Sequence, residues 1–277
     1  MGNGKILSPS AAAAFRRVVY AHFAKEGRAL PWRKKVTPYG TFVSEIMLQQ
    51  TQAPRVAEFF PRFVRRFPNW KRLAEASLKE VLTAWRGLGY NRRARFLHAA
   101  AERVTAEFKG RLPDDPALLV TLSGVGKATA ASIAAFGFNR PTVFIETNIR
   151  AVFIHHFFGG REGVTDAELL PLVERALDQK NPRRWYSALM DYGTALKRLH
   201  NNPARRSAHH PRQSKFEGSA RQARGALLKL LLESGGGMTV SALAQIIALD
   251  EERTAARLAS LLKDGLVKKR GNRFYAG

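Results

Sequence analysis

Glu45 is an acidic residue in an apolar setting and a candidate general acid. It directly precedes Ile46, Met47 and Leu48 in a stretch with helical periodicity. A carboxyl group buried among such residues has a raised pKa and stays protonated near neutral pH, ready to donate to a leaving group. The alternative is a partly exposed glutamate at the start of a helix, stabilised by the helix dipole. The sequence leaves both interpretations open.

Glu146 is the second candidate, and it lies near the end of a glycine-bounded stretch at residues 122–150. This stretch reads LSGVGKATAASIAAFGFNRPTVFIETNIR. Gly124 and Gly126 permit positive φ angles and a close approach of the backbone to a ligand, and the helix that follows directs its free N–H groups at that ligand. The pattern therefore predicts a phosphate site. The plainer alternative is a turn that ends one helix and starts the next.

A pair of carboxyl groups is suited to hydrolysis of an N-glycosidic bond. Cleavage builds positive charge on the sugar and negative charge on the departing base, so it needs an acid near the base and a carboxylate near the sugar. Glu45 would donate the proton, and Glu146 would stabilise the sugar electrostatically or by transient covalent attachment. The amides of Gln49 and Gln50 could replace the pairing partners of an extruded base. They are equally consistent with a polar helix surface.

The composition favours a nucleic-acid partner. Lys and Arg number 46 against 22 Asp and Glu, which gives a formal charge of +24 and indicates a polyanionic ligand. A membrane is disfavoured, because no apolar run reaches the roughly 18 residues of a spanning helix and the N-terminus lacks a signal-peptide core. The absence of cysteine excludes disulfides, a thiol nucleophile and thiolate-held zinc or iron–sulfur centres. We expect a cytoplasmic, nucleoid-associated protein.

The chain divides by composition into three parts. Residues 1–196 carry apolar residues at helical spacing and predict an all-α assembly of about ten helices. Residues 197–218 are strongly basic and predict a linker or DNA-facing arm, or a solvated basic loop. The histidines within residues 197–218 lack the fixed spacing of a metal site. Residues 219–277 predict three helices and a basic hairpin turning at Gly271-Asn272, the order of a winged helix-turn-helix domain, which could bind DNA, pack on the first domain or bind a protein.

Several motifs together resemble the helix-hairpin-helix DNA glycosylases. In chain order they are ALPWR at 29–33, SEIMLQQTQ at 44–52, WRGLGYNRRAR at 85–95, LSGVGKATA at 122–130 and IETNIR at 145–150. The resemblance covers residues 15–196 and is greatest to the adenine glycosylase (MutY) branch. The segment FEGSARQARGALL is similar to the C-terminal part of an actinobacterial type of A/G-specific adenine glycosylase. The resemblance implies a monomeric base excision repair enzyme that acts on double-stranded DNA containing a lesion or mismatch.

The resemblance also implies roles for individual residues. Glu45 matches the acid that protonates the base, Glu146 falls where the family has an aspartate beside the sugar, and Asn148 matches an asparagine that assists it. The pocket around the flipped base is matched by Arg28, Trp32 and Leu48. The groups that probe the duplex or fill its gap are matched by Gln49, Gln50 and Tyr90. The hairpin that binds phosphates, often with a monovalent cation, is matched by Gly124, Gly126, Lys127 and Thr129.

The chain departs from the family pattern at several positions. Relatives that also cleave the strand carry a lysine where this chain has Ala128, and Lys127 is displaced by about 100° around the helix, so we predict a monofunctional glycosylase without AP-lyase activity. Glu146 is longer than the family's aspartate by one methylene. Ser187 stands where relatives use Gln or Glu to contact adenine, which weakens the preference for that base. We also expect the domain that recognises 8-oxoguanine to be replaced by the winged-helix tail.

The family's four cluster cysteines are missing as well. Their neighbourhood holds Lys197, Ala204 and Ser207, so we expect no iron–sulfur cluster and no other cofactor beyond a monovalent cation at the hairpin. We therefore predict an enzyme that releases adenine from a mispair and leaves an abasic site. The alternatives are a glycosylase for mismatched thymine or uracil or another modified base, and a non-catalytic protein that binds damaged DNA.

Overall fold

A computed structural model describes residues 7–210 and 215–277 and confirms a mostly helical chain. Between residues 9 and 199 it contains twelve α-helices, where about ten were expected. They are α1 (Pro9–Glu26), α2 (Pro31–Lys34), α3 (Pro38–Leu48), α4 (Ala53–Arg66), α5 (Trp70–Ala74), α6 (Leu78–Trp85), α7 (Arg92–Glu107), α8 (Pro116–Leu119), α9 (Lys127–Phe138), α10 (Thr147–Phe157), α11 (Asp166–Ala176) and α12 (Pro182–Leu199). Among the described residues, no helix is long and apolar enough to cross a membrane.

Local sequence signals set many helix boundaries. Proline occupies the first turn of α1, α2, α8 and α12, where its missing N–H costs no helical hydrogen bond. Ser77 and Glu80 form a reciprocal capping box at the start of α6. Asn139 ends α9 with φ of 57°, a left-handed conformation that asparagine tolerates better than most residues. These short-range signals explain why the helices begin and end where they do.

The chain forms two compact units, each built from separated stretches. Unit 1 contains Met1–Glu45, Pro113–Thr121 and Val125–Arg212, whereas unit 2 contains Ile46–Leu112, Leu122–Gly124 and Gln213–Gly277. The expected boundaries at 196 and 218 follow the chain, but the structure groups residues by contact, so the C-terminal segment shares a unit with residues 46–112.

Unit 1 has an aromatic core beneath α10 and α12. The Phe15 ring lies 5.2 Å from that of Phe153, 5.0 Å from that of Phe157 and 5.8 Å from that of Trp185, in edge-to-face arrangements. Phe153 and Trp185 are fully buried. Edge-to-face pairs add to the apolar burial that stabilises a core. This core fixes the two helices that carry much of the candidate site.

The segment predicted as a basic linker begins inside a packed region. Helix α12 extends to Leu199, and a 3₁₀-helix follows at Pro203–Arg206. Ala204 is 2% exposed and Ser207 is 6% exposed, and the backbone N–H of Val164 donates to the Arg206 carbonyl at 3.0 Å. The first half of this segment is therefore part of unit 1 and not a free arm. Residues 211–214 of the predicted linker lie outside the described residues.

The C-terminal segment of unit 2 has the three helices and the hairpin in the predicted order, with an additional short strand after the first of these helices. It contains α13 (Ala220–Glu233), β1 (Met238–Thr239), α14 (Val240–Ile247), α15 (Glu251–Lys263), β2 (Val267–Arg270) and β3 (Arg273–Ala276). The antiparallel strands lie in the order β1-β3-β2, and Arg270 pairs with Arg273 across the predicted turn. Gly271 has φ of 58° there, a region that glycine enters without strain.

Candidate active site

Glu45 is carried by the buried helix α3. Its neighbours Val43 and Ile46 are fully buried, whereas Glu45 itself is partly exposed and its side chain points toward α9. There the hydroxyl of Ser132, which is 5% exposed, donates to Oε2 of Glu45 at 2.5 Å. The same hydroxyl lies 3.0 Å from the Thr129 carbonyl oxygen. Glu45 is thus a desolvated carboxyl group with one ordered hydrogen-bond partner.

The surroundings of Glu45 favour its protonated form. Its pKa is raised to about 7: burial is the main cause, the hydrogen bond from the Ser132 hydroxyl opposes the rise, and the negative charge of Glu146 adds to it. A carboxyl group with a pKa near the working pH is partly protonated and is suited to general acid catalysis. The expectation of a raised pKa, formed from the apolar neighbours in the sequence, agrees with this geometry.

Glu146 precedes α10 and caps that helix with its own side chain. Its Oε1 accepts the backbone N–H of Asn148 at 2.6 Å and that of Ile149 at 3.0 Å, and its Oε2 accepts Nδ2 of Asn148 at 3.2 Å. Burial raises the pKa of Glu146, whereas these hydrogen bonds and the charge of Lys197 lower it. These capping hydrogen bonds fix the direction of the carboxylate.

Helix α12 packs closely against Asn148. A Cβ atom at Gly193 would lie 2.4 Å from the Asn148 carbonyl oxygen, so only glycine allows this approach. Met190 Sδ accepts Nδ2 of Asn148 at 3.6 Å, and the Thr194 hydroxyl donates to its Oδ1 at 3.4 Å. Lys197 lies four residues after Gly193 and three after Thr194, so it shares their helix face. It therefore lies on the side of α12 that meets the start of α10, where Glu146 lies. The positive charge of Lys197 lowers the pKa of Glu146, and burial lowers the pKa of Lys197 itself.

Arg28 is fixed by an aspartate that the sequence analysis did not single out. Asp191, 3% exposed, accepts the backbone N–H of Arg28 at 2.8 Å and its Nε at 2.7 Å. Arg33 donates to the same carboxylate at 2.8 and 3.0 Å. Burial would raise the pKa of Asp191, but hydrogen bonds and charge from Arg33, together with Arg28, lower it below its ordinary value. The ALPWR motif is therefore tied to α12 by two arginines sharing one buried carboxylate.

The other predicted pocket residues are distributed over both units. Trp32 lies partly buried in the short helix α2, and Ser187 is 7% exposed in α12. The Ser187 carbonyl accepts Nη2 of Arg33 at 3.3 Å, which links it to the Arg28 arrangement in unit 1. Leu48, at the end of α3, belongs to unit 2. The structure thus brings Arg28 and Ser187 to one carboxylate-arginine cluster, and Leu48 is placed with the residues of unit 2.

The two glycines of the hairpin have different backbone conformations. Gly124 uses the positive φ that glycine permits, at 78°, and a Cβ there would lie 2.8 Å from Cβ of Phe96. Gly126 caps α9 with φ of −89° and does not use that freedom. No described atom lies within 4 Å of a Cβ at Gly126, which leaves its backbone approachable. Lys127 is exposed and Thr129 partly exposed in the first turn of α9.

In unit 2, the buried Arg93 contacts the segments that carry Gln49 and Tyr90. Its Nη1 donates to the carbonyl oxygens of Met47 at 2.6 Å and Gln49 at 2.5 Å, and its Nη2 donates to that of Gly89 at 3.1 Å. Gln49 Nε2 in turn donates to the Gly124 carbonyl at 3.1 Å. Arg93 therefore joins the end of α3 to the loop before α7.

Two of these residues adopt unusual backbone conformations. Gln50 has φ of 55° and Tyr90 has φ of 47°, a left-handed region that is costly for residues with a Cβ atom. Gln50 is exposed and Tyr90 is partly exposed. Such conformations persist where the surroundings enforce them, and they concentrate at functional sites. The resemblance had indicated both residues, and the amide of Gln50 had also suggested it, whereas the position of Arg93 within NRRAR gave no sign of burial.

The position of the family's cluster does not suit an iron–sulfur group. Lys197, Ala204 and Ser207 provide an amine, a methyl group and a hydroxyl, none of which replaces a thiolate ligand of iron. Ala204 and Ser207 are buried in unit 1, and Lys197 faces Glu146. Packing side chains hold this region together.

Comparison with protein families and curated proteins gives consistent matches. The model of the HhH-GPD superfamily base excision DNA repair proteins matches residues 43–174. An adenine DNA glycosylase of Mycobacterium tuberculosis is 34% identical over 90% of this chain and 88% of its own length. That of Buchnera aphidicola subsp. Baizongia pistaciae is 36% identical over 66% of this chain, which spans 52% of that relative. At 90% coverage of this chain, the match to the Mycobacterium protein must extend into residues 219–277.

Solved structures share the fold at lower identity. A thermostable thymine-DNA glycosylase superimposes with a TM-score of 0.59 at 23% identity, covering 66% of this chain and 85% of its own. Endonuclease III in a non-covalent DNA complex gives a TM-score of 0.54 at 17% identity, covering 74% and 91%. At these identities the likeness concerns the arrangement of helices.

Proposed function

This chain belongs to the HhH-GPD superfamily of base excision DNA repair proteins and is a DNA glycosylase, and we propose that it removes adenine from a mispair and leaves an abasic site. The observation that carries the proposal is the pairing of Glu45, with a pKa of about 7, and Glu146, whose charge contributes to that value. Curated relatives named adenine DNA glycosylase, 34% identical over 90% of this chain, support the choice of base.

The proposed mechanism assigns one task to each carboxyl group. Protonated Glu45 donates its proton to the base as the bond from nitrogen to C1′ breaks, so the base departs neutral. The Glu146 carboxylate, held by the N–H groups of Asn148 and Ile149, stabilises the positive charge that develops on the sugar. Water then adds to C1′ and loses a proton, which completes the hydrolysis. Arg28 and Trp32 would contact the extruded base.

We further propose that the enzyme is monofunctional. Strand cleavage by an AP lyase requires an amine that attacks C1′ and remains bonded to the sugar. The hairpin helix has Ala128 where strand-cleaving relatives have lysine, and Lys127 is one residue earlier, about 100° around the helix. Without an amine close to C1′, water attacks that carbon instead. The product is then an intact strand with an abasic site.

The substrate in this proposal is a DNA duplex that contains a lesion or mismatch, bound by a monomer. Gly124, Gly126, Lys127 and Thr129 would bind its phosphates, assisted by a monovalent cation, and Gln49, Gln50 and Tyr90 would probe the site of the extruded base. Extruding a base costs stacking and pairing energy. Filling the vacated space and holding the backbone offset that cost. The absence of cysteine supports a protein without an iron–sulfur cluster.

Ser187 favours a second candidate within the same class. Its short hydroxyl cannot make the paired hydrogen bonds that a Gln or Glu makes to adenine, and the residue is only 7% exposed. With the contact to adenine weakened in this way, a glycosylase acting on mismatched thymine or uracil is the alternative.

The test is a panel of labelled duplexes carrying A:G, A:8-oxoguanine, T:G or U:G, incubated with the protein and treated with hot alkali. We expect alkali-dependent breaks at adenine. Breaks at thymine or uracil alone would support the alternative, and binding without breaks on every duplex would indicate a non-catalytic protein. Breaks before alkali, or a borohydride-trapped covalent complex, would contradict the monofunctional mechanism.

A further inference from the structure

Tyr90 has a left-handed backbone conformation just before α7. Its φ is 47°, a region that a residue with a Cβ atom enters at a cost of about 1 kcal/mol or more. The ring is partly exposed, so apolar burial alone does not fix its direction. Polar contacts to the ring therefore bear on where it points.

Two guanidinium groups make those contacts. Arg93 lies beneath the ring, with Cζ 5.3 Å from the ring centroid, and its Nε donates to the Tyr90 carbonyl at 3.4 Å. Arg221 approaches the other end, where its Nη1 donates to the phenolic oxygen at 2.8 Å and its Cζ lies 5.9 Å from the centroid. Arg93 comes from the adjoining helix α7, but Arg221 comes from α13, in the C-terminal segment.

Helix α13 is itself anchored within unit 2. Arg224, one turn after Arg221, forms an ion pair with Asp264. The Asp264 carbonyl accepts Nη1 of Arg95, from α7, at 2.7 Å. At the far end of α13, Glu233 pairs with Arg86. Contacts at both ends of the helix set where Arg221 stands, so its bond to Tyr90 is part of a built interface and not an isolated surface contact.

We propose that Arg221 is a positioning residue, through which the C-terminal segment directs Tyr90 into the gap left by the extruded base. The inference rests on the proposed function, in which Tyr90 fills that gap. A tyrosine ring turns about its side-chain bonds in solution, and each rotamer outside the productive one lowers the fraction of encounters that extrude the base. The hydrogen bond from Arg221 to the phenolic oxygen restricts those rotamers before DNA is bound. The C-terminal segment thus acts on base extrusion through a single side chain.

The test compares Arg221→Met, Tyr90→Phe and the double variant. Tyr90→Phe keeps the ring but removes the oxygen that Arg221 binds. Two readouts are used: the fluorescence rise of 2-aminopurine placed opposite the target base, and the single-turnover rate of base release. We expect each single variant to lower the extrusion rate by roughly tenfold, in line with the sensitivity of such steps to small misplacements. The double variant should be no slower than either.

A charge control separates positioning from DNA attraction. Lys229 lies exposed on the same helix, and Lys229→Met removes the same charge without touching Tyr90, so we expect its rates to stay within about twofold of the wild type. If Arg221→Met is as fast as Lys229→Met, Arg221 does not position Tyr90. If the effects of Arg221→Met and Tyr90→Phe multiply, the two residues act independently, and either result overturns the inference.

Two further outcomes keep the inference distinct from the proposed function. The 2-aminopurine signal needs no bond cleavage, so it tests the Arg221–Tyr90 coupling even if the wild type releases no base from any duplex. That result would overturn the proposed function alone. If Arg221→Met fails to fold, which its melting curve would show, Tyr90→Phe still tests the same hydrogen bond. Wild-type extrusion by Tyr90→Phe would contradict the inference.

Discussion

The hydroxyl of Ser132 lies 2.5 Å from Oε2 of Glu45 and 3.0 Å from the carbonyl oxygen of Thr129. A hydroxyl has one proton, so it serves one acceptor at a time. When Glu45 is a carboxylate, Ser132 donates to it. When Glu45 is protonated, the Ser132 oxygen can accept the carboxyl proton while its own proton turns to Thr129. One side chain therefore has a partner for both forms of the proposed acid.

Replacing Ser132 by alanine should move the pH profile of base release. The Ser132 hydroxyl lowers the pKa of Glu45, which is about 7 in its presence. Because Glu45 acts while protonated, the rate falls as the pH rises through that pKa. Without the hydroxyl the pKa rises, so the falling limb should move to higher pH by up to about one unit. Single-turnover rates between pH 5 and 9 measure this shift.

Ser44 provides the matched control for that experiment. It is 1% exposed in α3, and its hydroxyl donates to the Thr41 carbonyl at 2.9 Å without contacting Glu45. Ser44→Ala removes a buried hydroxyl from the neighbouring position and should leave the falling limb in place. A shift of equal size in both variants would mean that the limb reports general packing and not the Ser132 bond.

Replacing Glu45 by glutamine should abolish activity and stabilise the fold above neutral pH. General acid catalysis contributes roughly 10² to 10⁴ in rate, which glutamine cannot supply. The pKa of Glu45 is raised from 4.5 to about 7, so folding loses stability as the pH rises from 4.5 through 7, and the buried carboxylate costs on the order of 3 kcal/mol above it. Melting at pH 8 should therefore be several degrees higher in Glu45→Gln, and at pH 4 the difference should vanish. Equal melting at both pH values would contradict the desolvated acid.

Several features of this protein are set by residues that are close together in the chain. The helical class, the C-terminal order of elements and the turn at Gly271-Asn272 follow from spacing and turn chemistry, which act over a few residues. A raised pKa of Glu45 was one of the two interpretations that the apolar neighbours Ile46 and Met47 left open. These properties depend on residues that are close together in the chain.

The remaining features depend on contacts that the sequence does not display. Ser132, Asp191 and Arg221 act on residues 87, 163 and 131 positions away, and no local pattern indicates such pairs. Gly126 takes an extended conformation because it caps α9, and the G-x-G pattern alone did not show which glycine would use the freedom to adopt a positive φ. The basic character of residues 197–207 concealed a packed region, because long cationic side chains can cover apolar surface while their charges remain solvated.

Replacing Lys197 by methionine should move the other limb of the pH profile. Burial raises the pKa of Glu146, and the charge of Lys197 opposes this effect. Without that charge the pKa of Glu146 rises further. Since Glu146 acts as a carboxylate, the rate climbs as the pH rises through its pKa, and this climbing limb should move to higher pH in Lys197→Met. Lys197→Arg keeps the charge and should restore the wild-type limb. An unchanged limb in the methionine variant would exclude an electrostatic role for Lys197.

Replacing Arg93 by methionine should destabilise the protein and loosen the residues that probe the duplex. Arg93 is 6% exposed and donates to carbonyl oxygens at the end of α3 and in the loop that carries Tyr90. Methionine fills part of the space but removes the donor from the carbonyl oxygens of Met47 and Gln49 and leaves that of Gly89 with only Nε1 of Trp85, which costs on the order of 3 kcal/mol. Urea unfolding measures the loss. The neighbouring Arg92 is the control, because its side chain is 60% exposed and Arg92→Met should change stability by less than about 0.5 kcal/mol. Equal midpoints for the two variants would show that the buried guanidinium contributes no more than a surface charge.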